Sequence, residues 1–134
     1  MEMALTVGAG FVAQGFSSDL KQLTHLIEEG IKHKGFALIN VYSPCVTYNK
    51  INTYDWYKDH LVNLDEEEGY DPSNRNKAMQ KLMEHNSLVT GIIYQDKSRS
   101  SYEDMIPGFR KEPLAKQDLT LPREKFEEIV AEFS

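Results

Sequence analysis

Cysteine is nearly absent from this chain. The single thiol, Cys45, excludes an internal disulfide, suits a reducing compartment, and is left to be buried, reactive or a metal ligand. Nor is there any run approaching the roughly 20 apolar residues that cross a bilayer. The opening Met1-Glu2-Met3-Ala4-Leu5 has neither the basic start nor the apolar stretch of a signal peptide. These absences predict a soluble, cytoplasmic protein with no membrane partner. Positive charge is in deficit too. With 15 Lys and Arg against 21 Asp and Glu, the net charge is -6 and no general field attracts a polyphosphate backbone. Nucleic acid is not an expected partner. What remains, 134 residues with 40% hydrophobic content, suffices for one modest core, hence one domain or part of one.

The front half carries the clearest pattern. Gly10-Phe11-Val12-Ala13-Gln14 reads as a short apolar strand, and Ser17-Ser18-Asp19 offers side chains that cap a helix. In that helix, expected from about Ser18 to Lys34, Leu20, Leu23, Ile27 and Ile31 recur at helical spacing with Leu26 beside them, predicting one buried stripe. Lys32, His33 and Lys34 suit its C-terminal carbonyls, and Gly35 suits its end. Phe36 to Tyr42 is nearly unbroken apolar sequence, as in a strand covered on both faces. Strand, helix and strand in this order predict a right-handed parallel crossover. Ser43-Pro44-Cys45 then falls at the carboxyl edge of the sheet, where open α/β folds bind ligands.

The second half is more polar. Asn52 with Asp55 resembles a capping box before a short helix bearing Trp56, Tyr57 and Leu61. Asp65-Glu66-Glu67-Glu68 lacks the alternating ligands of a calcium loop and reads as solvated. Asp71-Pro72 predicts a further helix start, with Ala78, Met79, Leu82 and Met83 as its apolar stripe. Leu88 to Tyr94 reads as another buried strand joining the sheet. Beyond it, prolines 107, 113 and 122 predict an extended tail, with Phe126, Ile129, Val130 and Phe133 on a small helix read first as a local amphipathic cap and alternatively as one docking on a partner or on the body.

Three site readings are weak. Gly8-Ala9-Gly10 fails the dinucleotide pattern, because Ala13 stands where the third glycine belongs. His25 and His33 are eight apart, not four, and neither His60 nor His85 has a metal-ligand neighbour in sequence. Tyr48, Tyr54, Trp56 and Tyr57 follow the cysteine loop as packing or as a stacking surface. For Cys45, its residues alone leave inert packing, a nucleophile and a metal ligand open, with no base at a recognisable spacing for the second and only one of four thiolates for an iron-sulfur cluster.

The run from Gly35 to Asn49, GFALINVYSPCVTYN, continued by Asn52-Thr53-Tyr54-Asp55-Trp56-Tyr57-Lys58, resembles the segment after the thiamine-binding region of 2-oxoacid:ferredoxin oxidoreductase beta subunits. Residues 9–17 and Asp71-Pro72-Ser73-Asn74-Arg75 resemble the same family in the same order, and the Val-Thr-Tyr-Asn and Asn-Thr-Tyr-Asp-Trp strings are more similar to its 2-oxoglutarate and broad 2-oxoacid branch than to its pyruvate branch. The resemblance covers residues 1–106 and leaves 107–134 as a tail. It implies an α/β fold, the C-terminal portion of a thiamine-diphosphate-binding fold with mainly parallel central strands. It also implies oxidative decarboxylation of a 2-oxoacid to an acyl-coenzyme A with electrons passed to ferredoxin, in partnership with an alpha subunit. Cofactors of the intact complex would be thiamine diphosphate, magnesium and an iron-sulfur cluster, with Cys45 as its last ligand. The family's Cys-x-x-Cys and Gly-Asp-Gly motifs have no counterpart here. The expectation is therefore a chain that binds no cofactor alone, is inactive alone, and self-associates through uncovered apolar surface. A freestanding α/β adapter module is the alternative reading.

Overall fold

The computed structural model describes residues 1–106, 112–118 and 120–133. Helix α1 (Glu2–Thr6) leads into strand β1 (Phe11–Phe16), followed by α2 (Leu20–Lys32), β2 (Ala37–Tyr42), α3 (Tyr54–His60), the short β3 (Val62–Asn63), α4 (Arg75–Glu84) and β4 (Val89–Gln95). A single turn α5 (Tyr102–Met105) and the terminal α6 (Arg123–Glu132) complete the described elements.

The sheet runs β2-β1-β4-β3. β1 pairs parallel with β2 from Phe11↔Ala37 to Phe16↔Tyr42, as the strand-helix-strand order predicts. β3 is likewise parallel to β4. Two of the three pairings are thus parallel, as expected of a mainly parallel sheet, and the β1–β4 pairing at its middle is antiparallel. The long excursion through residues 43–88 frees β4 from the crossover constraint that orients β2. A bulge between Val12 and Ala13 in that pairing lets Gln14 face Gly91.

Alternation along β1 divides the core. Val12 joins Ala4, Leu5, Leu64, Ala78, Leu82, Val89 and Ile93 beneath α1 and α4. Phe11 and Ala13 pack with Leu26 of α2 on the other face. Gly15 permits the close approach of that helix, since a Cβ there would stand 3.0 Å from Leu23 Cδ1.

Four local expectations change. The buried face of α2 is Leu26 with Leu23 and Gly30 beside it, whereas Leu20, Ile27 and Ile31 are 71%, 44% and 80% exposed. β2 is an edge strand of half-buried and exposed residues rather than one covered on both faces. The caps fall one and three residues later than read: Thr53 accepts from Trp56 N, and Asn74 from Lys77 N, while Asp71 turns back to Ser73. The acidic loop is partly structural. Asp65 Oδ1 accepts from Ile92 N at 2.9 Å, its Oδ2 from Gln22 at 3.0 Å, and Glu67 meets Lys81 at 2.6 Å. α6 forms as expected but buries no residue; Phe126, Ile129, Val130 and Phe133 are all exposed. Positions 107–111 of the tail, with Pro107, lie outside the described residues.

Candidate functional site

β1 and β2 end side by side, with Ser17 N donating to Tyr42 O at 2.9 Å. The chain then leaves the sheet through Ser43 and Pro44, the latter having no N–H to extend a ladder. Cys45 stands exposed directly beyond this edge, where the sequence places it. Its carbonyl accepts from Asn49 N at 2.9 Å, and Asn49 Oδ1 accepts from the amides of Ile51 and Asn52 at 2.9 and 3.0 Å. The cysteine loop is thus closed on itself before α3 begins.

α3 returns the chain over the same edge. The Tyr57 ring lies 5.0 Å from Tyr42 and 5.7 Å from Phe16, Tyr54 lies 5.8 Å from Phe16, and Trp56 stacks on His60 at 4.1 Å. Tyr54 and Tyr57 therefore pack onto the strand ends, Trp56 packs on Tyr57 and His60 of its own helix, and Tyr48 is 89% exposed and outside that group. His60 Nδ1 is 2.7 Å from Trp56 O, a helical contact rather than a metal site. His33 is remote from this edge, tilted against Phe11, and burial pushes its pKa down. A cleft of about 520 Å³ opens on the cysteine side of the sheet between the starts of α2 and β3, lined by Phe16, Lys21, Lys58 and Thr90 among others.

Beneath the edge lies a polar network that sequence reasoning misses. Gln14, 1% exposed, donates to Ser87 O at 2.7 Å and Val89 O at 2.8 Å, and accepts from Asn40 Nδ2 at 2.9 Å. Tyr42 OH donates to the same Ser87 carbonyl at 2.8 Å. Burial pushes the Tyr42 phenol up, keeping it a donor. Ser87 itself holds φ 64 and donates its hydroxyl to Glu2, which with backbone bonding and the terminal amine lowers the Glu2 pKa to about 2. The one available signal is a glutamine inside the apolar run Phe11-Val12-Ala13-Gln14. The network ties the turn between α4 and β4 to β1 and to the end of β2, three residues before Cys45.

The sequence model of a family described as the C-terminal part of the pyruvate ferredoxin oxidoreductase beta subunit matches residues 45–111, beginning at this cysteine. The chain belongs to the 2-oxoacid:ferredoxin oxidoreductase beta-subunit family. It is 35% identical over 138 residues to the 2-oxoacid:ferredoxin oxidoreductase 2 subunit beta of Aeropyrum pernix, covering 92% of this chain and 45% of the relative. It is 45% identical over 47 residues to the 2-oxoglutarate synthase subunit KorB of Methanocaldococcus jannaschii, covering 35% of this chain and 17% of that one. The solved 2-oxoglutarate:ferredoxin oxidoreductase from Magnetococcus marinus, with 2-oxoglutarate, coenzyme A and succinyl-CoA bound, superposes with a TM-score of 0.66 at 34% identity, over 73% of this chain and 33% of that one. The chain thus spans less than half the length of these relatives.

That span bears on the chemistry. An iron-sulfur cluster of this kind takes four thiolates. This chain has one thiol to offer, Cys45, and among the described residues no three His, Cys, Asp or Glu side chains gather to hold a metal. The described residues therefore do not fit a whole centre of that kind. Among the described residues no helix is long and apolar enough to cross a membrane.

Proposed function

We propose that this chain is the carboxyl-terminal portion of the beta subunit of an enzyme that oxidatively decarboxylates 2-oxoglutarate to an acyl-coenzyme A and passes the electrons to ferredoxin. The observation that carries it is the exposed Cys45 at the carboxyl edge of β1 and β2, at the first residue of the family match. The 2-oxoglutarate assignment is supported by the names of the Methanocaldococcus and Magnetococcus relatives. In this reading Cys45 is a thiolate ligand of the iron-sulfur cluster. The α/β body is part of a thiamine-diphosphate-binding fold, and an alpha subunit, magnesium and thiamine diphosphate complete the active complex. When bound, thiamine diphosphate supplies the carbanion chemistry. This chain's contribution is to hold one thiol on a rigid edge, braced by the Gln14 and Tyr42 network.

The test is ferredoxin reduction by the two-subunit enzyme containing this sequence, with coenzyme A and a panel of 2-oxoacids. Expected is a kcat/KM for 2-oxoglutarate at least about tenfold above that for pyruvate, and no turnover by the isolated chain given thiamine diphosphate and magnesium. A preference for pyruvate overturns the substrate assignment, and turnover by the isolated chain overturns the reading of it as a portion.

A further inference from the structure

A cleft of about 610 Å³ lies at the other end of the sheet from Cys45, between the approaches to β1 and β2 and the turn of α5. Gly8 and Gly10 form one wall, Lys34 and Phe36 a second, and Arg99 and Tyr102 a third. The Arg99 guanidinium donates to the Gly8 carbonyl, tying the third wall to the first. Large apolar side chains stand open in it, Phe36 at 65% and Tyr102 at 71% exposure. Its two full cations run against the net charge of -6, and among the described residues neither Lys34 nor Arg99 makes an ion pair.

Helix α6 has the complementary character. At about 100° per residue, Phe126, Ile129 and Phe133 fall within about 60° of one another and make one apolar face. The rest of the helix carries four carboxylates, Glu124, Glu127, Glu128 and Glu132, against Arg123 and Lys125. It buries no residue, so its own chain leaves this face open and the cleft unfilled. Phe126 and Phe133 are 56% and 86% exposed. At about 200 Å² for a whole aromatic side chain, their open parts come to about 300 Å², and those of Phe36 and Tyr102 to about as much. One such contact covers about 600 Å², which is half of the roughly 1,200 Å² at the low end of a stable interface. Two contacts related by symmetry reach it.

We propose that α6 of a second copy of this chain seats in this cleft and that the exchange is reciprocal, giving a two-fold dimer. The apolar face of the helix covers Phe36 and Tyr102, and its carboxylates lie against Lys34 and Arg99. Exposed ion pairs add little, so apolar cover supplies most of the affinity and the charges orient the helix. The inference goes beyond the proposed function and does not depend on it, since the cleft and Cys45 lie at opposite ends of the sheet.

The test is light scattering and sedimentation of the full 134-residue chain over a wide concentration range. A monomer–dimer equilibrium is expected. Phe133→Asp on the helix and Phe36→Asp in the cleft should each weaken it at least about tenfold, and Lys34→Glu about threefold or more at low salt. Met83→Asp, at a comparably exposed site on α4, should leave it unchanged. Phe133 belongs to a helix that buries nothing on its own chain, so its replacement leaves the body folded. The Phe133→Asp and Phe36→Asp proteins, mixed, should form a heterodimer where neither dimerises alone, because one brings an intact cleft and the other an intact helix. A chain that stays monomeric, a dimer indifferent to either replacement, or a mixture that fails to associate overturns the proposal. A monomer whose α6 amides are protected from hydrogen exchange until Phe36 is replaced gives the cleft to the helix of the same chain and also overturns it. None of these readouts uses iron or turnover, so failure of the dimer and failure of the Cys45 reading are told apart.

Discussion

Replacing Gln14 with Leu keeps the volume of a fully buried side chain and deletes all its hydrogen bonding. Three partners are affected: the carbonyls of Ser87 and Val89, and the Asn40 amide. Ser87 O retains the Tyr42 hydroxyl at 2.8 Å, and Asn40 is exposed enough to recruit water. The main loss falls on Val89 O beside the buried Gln14 amide. A buried group left unsatisfied costs about 1–3 kcal/mol, and the two remaining bonds contribute about 0.5–1 kcal/mol each. Part of this is offset by the apolar gain of leucine, giving a net destabilisation of about 2–3 kcal/mol. With a urea slope of about 1.5 kcal/mol/M, the unfolding midpoint should fall by roughly 1.3–2 M. Equilibrium denaturation followed by tryptophan fluorescence and far-ultraviolet dichroism measures it. A loss below about 0.5 kcal/mol, at unchanged slope, would refute the claim that this network braces the strand ends.

Gly91→Ala places a side chain at φ 106 with its Cβ 2.7 Å from the Asp65 carboxyl carbon, so a loss of about 2 kcal/mol or more is expected in the same denaturation assay. Leu26→Ala should cost about 2–5 kcal/mol, whereas Ile31→Ala, on the exposed stripe of the same helix, should stay within about 0.5 kcal/mol in the isolated chain. Glu2 has its folded pKa depressed from 4.5 to about 2, so its contribution is present above the unfolded value and is lost as pH falls from 4.5 through about 2. Because its side chain is 46% exposed, screening holds that contribution to less than about 1 kcal/mol. Denaturation of Glu2→Gln against pH should show the slope removed across that window, and an unchanged slope would count against the Ser87 contact.

The elements legible in the sequence are those whose signals are local. β1, α2, β2 and β4 follow from apolar runs, an N-cap at Asp19 and cationic residues with glycine at the end of α2. The Cys45 loop is placed by the same reasoning, because a parallel crossover puts the residues after β2 at the carboxyl edge. Its expected role comes from family resemblance alone, since one cysteine has no spacing to read. The antiparallel β1–β4 pairing is illegible because nothing local orients a strand that arrives after residue 88. The anchoring of Asp65 depends on a backbone amide of β4, and that of Gln14 on a turn more than 70 residues away. α2 misleads for a different reason: its periodicity records two apolar faces, and periodicity does not say which one the chain itself covers.

Iron content and the visible spectrum of the intact two-subunit enzyme carrying Cys45→Ala test the central claim most directly. If Cys45 is a cluster ligand, the variant should assemble with an unchanged far-ultraviolet spectrum, since an exposed thiol adds little buried volume. It should lose most of its iron, its visible absorption and its ferredoxin reduction. A variant that assembles with its full complement of iron and an undiminished cluster spectrum would contradict the account.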